Sequence, residues 1–197
     1  MKTYKPYTKS RRNTVTINYR DLLTKSTPEK SLVGGFTRAA GRNNRGRITT
    51  RHKGGGNKRL FRDVDFTYDK KDISAKIVSV EYDPNRSGFI GLAVYADGEK
   101  RYVLLPKTVK AGDKFIVSEN APVVVANRLA LKNIPVGTFV YNVELKSLGG
   151  AKLARSAGNF VEVIAQDLGY TLLKLPSTEV RKVKDIDLMT DVTLDST

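Results

Sequence analysis

The chain of 197 residues is 40% hydrophobic, carries a formal charge of +15, and contains one histidine and no cysteine. That length and apolar content suffice for one medium or two small folded cores, while the missing cysteines exclude disulfides, thiol nucleophiles and zinc sites of the Cys/His type. No apolar run approaches the ~18 residues that a membrane-spanning helix needs, so we expect no membrane partner.

The positive charge is confined to the first third of the chain. Residues 1–62 contain 17 Lys or Arg and only two acids, whereas the remaining residues contain 18 bases and 18 acids. A block of like charge repels itself and is typical of a segment that meets a polyanion, for which nucleic acid is the leading candidate. The alternatives are a basic tail that only aids solubility and an anionic membrane surface. The second is disfavoured because no amphipathic helix accompanies the charges.

Residues 1–59 show no sustained hydrophobic period, apart from a short turn of helix predicted at 19–23, and are predicted to form an extended arm. The most basic stretch, residues 41–59, reads GRNNRGRITTRHKGGGNKR and holds seven Lys or Arg, five Gly and no acid. Arginine grips phosphates with paired hydrogen bonds, and the run Gly54–Gly56 lets the main chain approach closely. Asn43 and Asn44 can offer amides to base edges or ribose hydroxyls.

Other interpretations of this stretch are weaker. The glycine triplet is compatible with a flexible linker, but it stands inside a run of bases. The spacing of Gly41 and Gly46 resembles a phosphate-binding P-loop, yet the required Lys and Ser or Thr are missing. His52 lies between two bases, which favours a phosphate-facing imidazole over a general base. We therefore predict a non-enzymatic protein without a cofactor or metal.

From residue 60 onward the pattern changes to the short alternating runs that are typical of strands. In the run 76–82, Val78, Val80 and Tyr82 are predicted to face inward, and the carboxylates Glu81 and Asp83 are predicted to lie on a solvated face. Further strands are predicted at 64–68, 89–96, 101–105 and 114–117, with a tight primed hairpin turn at residues 97–98. Five short strands in about 60 residues indicate a small closed or partly open barrel.

A second group of strands follows a seam at 118–133, where no clean alternation is present. Strands are predicted at 138–145, 159–165, 170–175 and 179–183, which indicates a second small barrel. The last residues, 184–197, carry four Asp against one Lys, and we expect them to fray or to pack on a partner. The predicted organisation is an arm at 1–59, a first barrel at 60–120, a second barrel at 121–184 and an acidic tail at 185–197.

Several motifs in order resemble one known family. The basic stretch is followed by VEYDPNRSGFIGLAVYADGEKRYVLLP, NIPVGTFVYNVELK, LARSAG and LLKLPSTEVRKV. Together they resemble large-subunit ribosomal protein two of bacterial or organellar type from about residue 2 to 183. The resemblance implies an oligonucleotide-binding (OB)-type barrel followed by an SH3-like barrel. It also implies a structural constituent of the large ribosomal subunit that binds rRNA and neighbouring ribosomal proteins, and that supports subunit assembly, subunit association and the peptidyl-transferase region.

The resemblance also implies rRNA contacts on the arm, on the first barrel's DPNRS turn and on the second barrel's ARSAG loop and EVRKV strand. The predicted rRNA-binding residues are Arg42, Asn43, Asn44, Arg45, Arg47, Arg51, His52, Lys53, Gly54, Gly55, Gly56, Lys58, Arg59, Asn85, Arg86, Ser87, Arg155, Ser156, Gly158, Arg181 and Lys182. The runner-up function is a translation or RNA-chaperone factor that binds RNA transiently.

The sequence departs from the family pattern at three places. Asn57 stands where the family usually has His, and Thr178 replaces a turn glycine, so that turn is expected to be strained or of another type. The family's basic C-terminal extension does not follow the second barrel. Two explanations are open: a natural truncation, or a split gene whose second polypeptide carries the extension. The second explanation favours the mitochondrial matrix over a bacterial cytoplasm, and the acidic tail is then expected to dock that polypeptide.

Overall fold

The chain, described by a computed structural model over residues 1–147, 149–185 and 189–193, is mainly β as predicted. The strands are β1 Lys2–Thr3, β2 Val15–Thr16, β3 Val33–Gly35, β4 Leu60–Arg62, β5 Ala75–Glu81, β6 Ile90–Tyr95, β7 Lys100–Leu104, β8 Lys114–Phe115, β9 Arg128–Ala130, β10 Phe139–Tyr141, β11 Val143–Glu144, β12 Ala151–Leu153, β13 Val161–Asp167, β14 Tyr170–Lys174, β15 Val180–Lys184 and β16 Met189–Thr193. The helical segments are α1 Tyr19–Leu22 and two 3₁₀ turns, Lys30–Leu32 and Leu131–Asn133.

The first folded unit is built on a four-stranded antiparallel sheet in the order β7-β6-β5-β8. Its two faces are covered by separate apolar clusters, one around Ile77, Tyr95 and Phe115 and the other around Ile90 and Leu104. Successive side chains of a strand point to opposite faces, so the near-continuous apolar run of β6 serves both clusters.

The hairpin predicted between β6 and β7 is confirmed, but its turn differs in type. Gly98 has a φ of 88°, and its N–H donates to the Tyr95 carbonyl at 2.9 Å. The Tyr95 N–H in turn donates to the Glu99 carbonyl, also at 2.9 Å. This is a three-residue loop closed by one left-handed glycine rather than the two-residue primed turn that the sequence predicts.

In the run 76–82 the prediction is confirmed for Val80, which is buried, and is wrong for Val78 and Tyr82. Val78 and Tyr82 are 51% and 47% exposed, whereas Ile77, Ser79 and Glu81 are buried. The register against β6 shifts between Ile77 and Ser79, which places Val78 at a β-bulge. The prediction was wrong because apolar residues were assumed to mark the inner face, while part of the inner face here is polar.

The two carboxylates that were predicted to be solvated are instead buried. Glu81 accepts hydrogen bonds from the Ser79 hydroxyl at 2.8 Å and from the Tyr102 hydroxyl at 2.7 Å. Tyr102 is also reached by the backbone N–H of Glu29 at 2.8 Å, so this network ties the arm to the sheet. Burial of these groups is tolerated because each carboxylate oxygen has a partner. Asp83 is also fully buried, and its carboxylate accepts hydrogen bonds from the turn that follows β5.

The predicted strand at 64–68 is only partly formed. Val64 makes one parallel bridge to Tyr102, but the chain then turns, because the Asp65 carboxylate accepts the backbone N–H of Tyr68 at 3.0 Å. Tyr68 takes a φ of 50°, which is incompatible with a strand. Val64 and Tyr68 are buried, and Phe66 is half-buried, in line with their shared parity.

The second folded unit is a six-stranded sheet in the order β15-β14-β13-β10-β16-β9, with β11 and β12 as a separate pair. Its core contains Leu129, Val140, Val163, Leu173 and Val192 among other apolar side chains. The strand predicted at 138–145 is broken at Asn142, where a φ of 55° separates β10 from β11.

Part of the acidic tail is a central strand, which contradicts the expectation that it frays. β16 pairs with β10 on one side and with β9 on the other, and Thr190, Asp191 and Val192 are buried. The remaining tail residues 186–188 and 194–197 lie outside the described part of the chain. The acidic composition misled the prediction because Asp191 neutralises a buried base rather than facing solvent.

That base is Arg128, which sits in the seam between the two units and is fully buried. Its guanidinium donates to Glu144 at 2.7 Å, to Asp191 at 3.3 Å and to the Asn142 carbonyl at 3.0 Å, and lies 4.4 Å from the ring centroid of Tyr68. Burial raises the pKa of the Asp191 carboxyl, and the attraction of Arg128 opposes that rise. Since Tyr68 belongs to the first unit, this Arg128 cluster joins the two units.

The arm is partly ordered and docks on the first unit. The predicted turn of helix is present as α1, β1 pairs with β2, and β3 pairs with β4. Thr24 is anchored to β5, since its backbone N–H donates to the Val80 carbonyl at 3.1 Å and its hydroxyl accepts the Val80 N–H at 2.8 Å. The basic residues beyond β3 are thereby held at a fixed place beside the first sheet.

The turn between β14 and β15 carries the strain that the sequence predicts. Thr178 has a φ of 69°, a conformation that a β-branched residue rarely adopts. Its N–H donates to the Leu175 carbonyl at 2.9 Å, and the Leu175 N–H donates to the Glu179 carbonyl at 2.9 Å. The hydrogen bonds match those of the Gly98 turn, so two hairpins share one geometry with different residues at the left-handed position.

Candidate nucleic-acid interface

The first part of the basic stretch, residues 41–50, closes on itself as a small hairpin. An isolated bridge joins Arg42 to Ile48, and the side-chain oxygen of Asn43 accepts the backbone N–H groups of Arg45 and Arg47, both at 3.0 Å. Gly46 supplies the left-handed residue at the tip, with a φ of 76°. The loop therefore uses the Asn43 oxygen for its own structure. Its arginines are all exposed, and Nη1 of Arg42 donates to the Ala40 carbonyl at 2.7 Å.

Residues 51–59 continue this surface as exposed, irregular chain. His52 takes a φ of 58°, and the glycine triplet lies against the arm. A Cβ added to Gly56 would lie 2.3 Å from Nη1 of Arg38. Only glycine fits at position 56 without displacing that guanidinium. The Arg38 guanidinium therefore lies beside Gly56 in the basic surface, a base that sequence reasoning did not select.

The DPNRS turn, residues 83–87, is organised around the buried carboxylate of Asp83. Its oxygens accept the Asn85 backbone N–H at 2.9 Å and Nε of Arg86 at 2.6 Å. Two further bonds fasten the end of the arm to this turn: Arg59 donates to the Pro84 carbonyl at 2.7 Å, and the Asn85 side-chain amide donates to the Leu60 carbonyl at 2.8 Å. Asp83 binds Arg86 through Nε, which leaves the terminal nitrogens of that guanidinium available for a ligand.

The ARSAG loop, residues 154–158, meets the DPNRS turn. The Ala157 backbone N–H donates to the Ser87 hydroxyl at 3.0 Å. The ring of Phe66 is contacted by two guanidinium groups, Arg155 at 4.3 Å and Arg86 at 5.5 Å from its centroid. One aromatic ring from the first unit therefore gathers a base from each unit, and the predicted residues of the two loops form a single surface.

Arg181 and Lys182 occupy a different place. They lie on β15, an edge strand of the six-stranded sheet. Arg181 donates to the Glu179 carboxylate at 3.1 and 3.3 Å, and the Lys182 ammonium lies 4.2 Å from the ring centroid of Tyr170. These partners belong to the same hairpin, so the structure links the pair to β14 and β15 rather than to the loops at 83–87 and 154–158.

The basic surface differs electrostatically from the rest of the first unit. Arg101 binds Asp65, Asp69 and Glu99, and its hydrogen bond is the main cause that lowers the pKa of the Asp69 carboxyl. Within the described residues, no Lys or Arg between 41 and 59 forms a salt bridge with an acid of the chain. Uncompensated cations in an exposed loop give the positive potential that attracts a polyanion.

Sequence reasoning missed three residues that organise the surface: Arg38, Phe66 and Asp83. The sequence places Phe66 only within the predicted strand 64–68 and predicts a solvated Asp83. The motif DPNRS itself contains a usable signal, because an Asp side chain commonly accepts the backbone N–H two residues on and so caps a turn.

The described residues contain no group of three or more His, Asp or Glu arranged to hold a metal ion. Nor does any helix in the described ranges have the length and apolar character needed to cross a bilayer.

Two family models match the sequence. One, described as the RNA-binding N-terminal domain of ribosomal proteins L2, matches residues 29–118. The other, the C-terminal domain of ribosomal proteins L2, matches residues 124–190. The two matches cover most of the chain and support the OB-type and SH3-like units expected from the resemblance. The first match includes the basic loop and the DPNRS turn, and the second includes the ARSAG loop, β15 and part of β16.

Proposed function

Because this chain belongs to the ribosomal L2 family, whose members are RNA-binding structural constituents of the large ribosomal subunit, we propose that it binds large-subunit rRNA through one continuous surface. That surface comprises the basic loop at 41–59, the DPNRS turn and the ARSAG loop. The observation that carries the proposal is the distribution of charge: the exposed bases of the loop form no salt bridge with any acid in the described ranges, while residues 63–197 are neutral as a whole.

The contacts are of two kinds. Guanidinium and ammonium groups of the loop neutralise phosphates, which positions the protein without specifying sequence. Asn44, His52 and the glycine triplet allow close approach to ribose and backbone, since none of them adds a bulky apolar side chain. The two folded units provide the rigid base on which the loops are fixed. The proposed domains are residues 60–120 and 121–184, the second extended by β16, and the proposed arm is 1–59.

Finer roles follow from the resemblance and belong to this proposal. They are support of subunit assembly and of subunit association, and shaping of the peptidyl-transferase region. The edge residues Arg181 and Lys182 are proposed to contact a separate part of the rRNA, because β15 is not joined to the main surface by their contacts. A mitochondrial matrix location and a separate basic polypeptide as a partner complete the set of predictions.

The test is sedimentation of a native extract on a sucrose gradient after a high-salt wash, with the chain quantified against other large-subunit proteins. We expect one copy per large subunit. Mass spectrometry of the same fraction tests the predicted partner polypeptide and, through the other proteins present, the compartment. Release of the chain to the top of the gradient would instead support a translation or RNA-chaperone factor that visits RNA transiently.

A further inference from the structure

An exposed aromatic pair lies on the short sheet formed by β3 and β4. The rings of Phe36 and Phe61 are stacked, with centroids 6.2 Å apart and an interplanar angle of 27°. The two residues are 45% and 43% exposed, and neither belongs to the apolar clusters that form the cores of the two units. Large aromatic surface held in one geometry and left open to solvent is typical of a binding site.

The face that carries the rings is kept clear by glycine. Phe61 is paired in register with Gly34, and paired residues of an antiparallel sheet point to the same face. A Cβ built at Gly34 would have no atom within 4 Å, so the space beside Phe61 on this face is open. Because no side chain stands across from Phe61, a flat group can reach the rings and the strand backbone beside them.

A cation lies two residues along the chain from each ring. Arg38, two residues after Phe36, has its guanidinium against Gly56 of the basic loop. Arg59, two residues before Phe61, donates to the Pro84 carbonyl of the DPNRS turn at 2.7 Å. The aromatic pair is therefore continuous with the proposed rRNA surface. The occupant that fits adjacent π-faces and cations is a nucleotide, which presents a flat base and a phosphate.

We propose that Phe36 and Phe61 form a stacking platform for an unstacked base of RNA, with Arg38 and Arg59 placed to receive the flanking phosphates. The platform rests on the proposed rRNA-binding function and adds to it a class of contact that the basic loop lacks. Stacking on aromatic rings tolerates any base, so the platform selects single-stranded or bulged RNA over duplex without selecting a sequence.

The experiment uses the full chain and a single-stranded oligoadenylate that carries one 2-aminopurine, whose fluorescence is quenched by stacking. The double variant Phe36→Leu/Phe61→Leu keeps apolar bulk but removes the π-faces, and Phe36→Tyr/Phe61→Tyr keeps both. We expect the leucine variant to bind about tenfold more weakly and to lose the quenching, while the slope of log affinity against log salt stays unchanged. The tyrosine variant should bind as the wild type does. Leu168→Ala, at an exposed turn of the second unit, is the control for loss of surface apolar area, and thermal melting verifies that each variant folds.

If the leucine variant binds the oligonucleotide and quenches its fluorescence as the wild type does, the platform is refuted. If Arg45→Ala/Arg47→Ala/Arg51→Ala weakens binding in the same assay, the proposed rRNA surface stands and only the platform fails. If that variant also binds normally, the proposed function fails together with the platform. Loss of a protein neighbour from the large subunit, with RNA binding unchanged in the leucine variant, would assign the rings to a protein contact and contradict the proposal.

Discussion

Arginine is used in two opposite ways in this chain. Around residues 42–51 the guanidinium groups are exposed, and the loop that carries them is held by backbone bonds and by the Asn43 side chain. Arg128 is fully buried and is surrounded by Glu144, Asp191 and Asn142. The first set makes no salt bridge among the described residues and is proposed to bind an external anion, whereas Arg128 provides an internal counter-charge to two buried carboxylates. The surroundings of each side chain, rather than the residue type, distinguish the two roles.

The largest predicted effect is on stability at the buried site. Arg128→Ala leaves two buried carboxylates without their cation, so we expect the free energy of unfolding to fall by about 3–5 kcal/mol. Chemical denaturation measures this loss. The matched control combines Arg128→Met with Glu144→Gln and Asp191→Asn, which removes all three charges together and is expected to cost far less. An equal loss in both variants would show that packing, rather than charge, governs the site.

Removal of the exposed arginines should weaken RNA binding and leave stability almost unchanged, the reverse of the effect at Arg128. Arg45→Ala, Arg47→Ala and Arg51→Ala together are expected to weaken rRNA binding and to reduce the steepness of the salt dependence by about 2–3. The melting temperature should stay within about 2 °C of the wild type, because the loop buries little apolar area. Filter binding at several salt concentrations measures the slope.

The control for this variant removes three exposed lysines outside the proposed surface, Lys110, Lys114 and Lys132. It changes the net charge equally and should leave the slope near that of the wild type. A comparable decrease in both variants would mean that total charge, and not the loop, determines binding.

A smaller effect is expected where one ring organises two bases. Phe66→Leu keeps an apolar side chain but removes cation–π contacts worth about 0.5–1 kcal/mol each. We therefore expect rRNA affinity to fall severalfold while the salt slope is preserved, since both guanidinium groups remain. Phe66→Tyr retains the ring and should restore affinity. A reduced slope in the leucine variant would argue that Arg86 or Arg155 has left the surface altogether.

The smallest predicted effect concerns backbone strain at Thr178 and involves no change of charge. Thr178→Gly removes a β-branched residue from a φ of 69° and should stabilise the second unit by about 1 kcal/mol. Gly98→Thr, at the equivalent position of the other hairpin, should destabilise the first unit by a similar amount. Thermal melting tests both, and no gain from Thr178→Gly would show that its turn carries no strain.

Much of the fold was predictable because alternation and turn residues are local signals. The β6–β7 hairpin, three of the four strands predicted in the second group and the exposure of the basic loop follow from the sequence directly. The β5 face did not, because the polar partners of Glu81 come from Tyr102 and from the arm, and no local pattern reveals them. The strand β16 was missed for the same reason: the partner of Asp191 is 63 residues away in sequence.

The candidate site was also predictable only where the signal is local in sequence. Exposed bases could be selected by composition and by resemblance, and Asp83, which binds the nearby Arg86, has a local signal in the DPNRS motif. The proximity of Gly56 to Arg38 and the two bases around Phe66 depend on the folded chain and have no local signal. The structure therefore adds to the sequence the contacts, between residues distant in the chain, that position these charges.

The most direct test of the account is the salt dependence of rRNA binding by the wild-type chain. If the basic loop neutralises about seven phosphates, the slope of log affinity against log salt concentration is expected to be near −5 to −6. A slope close to zero would contradict the central claim, because the exposed bases of residues 41–59 would then have no phosphate partners.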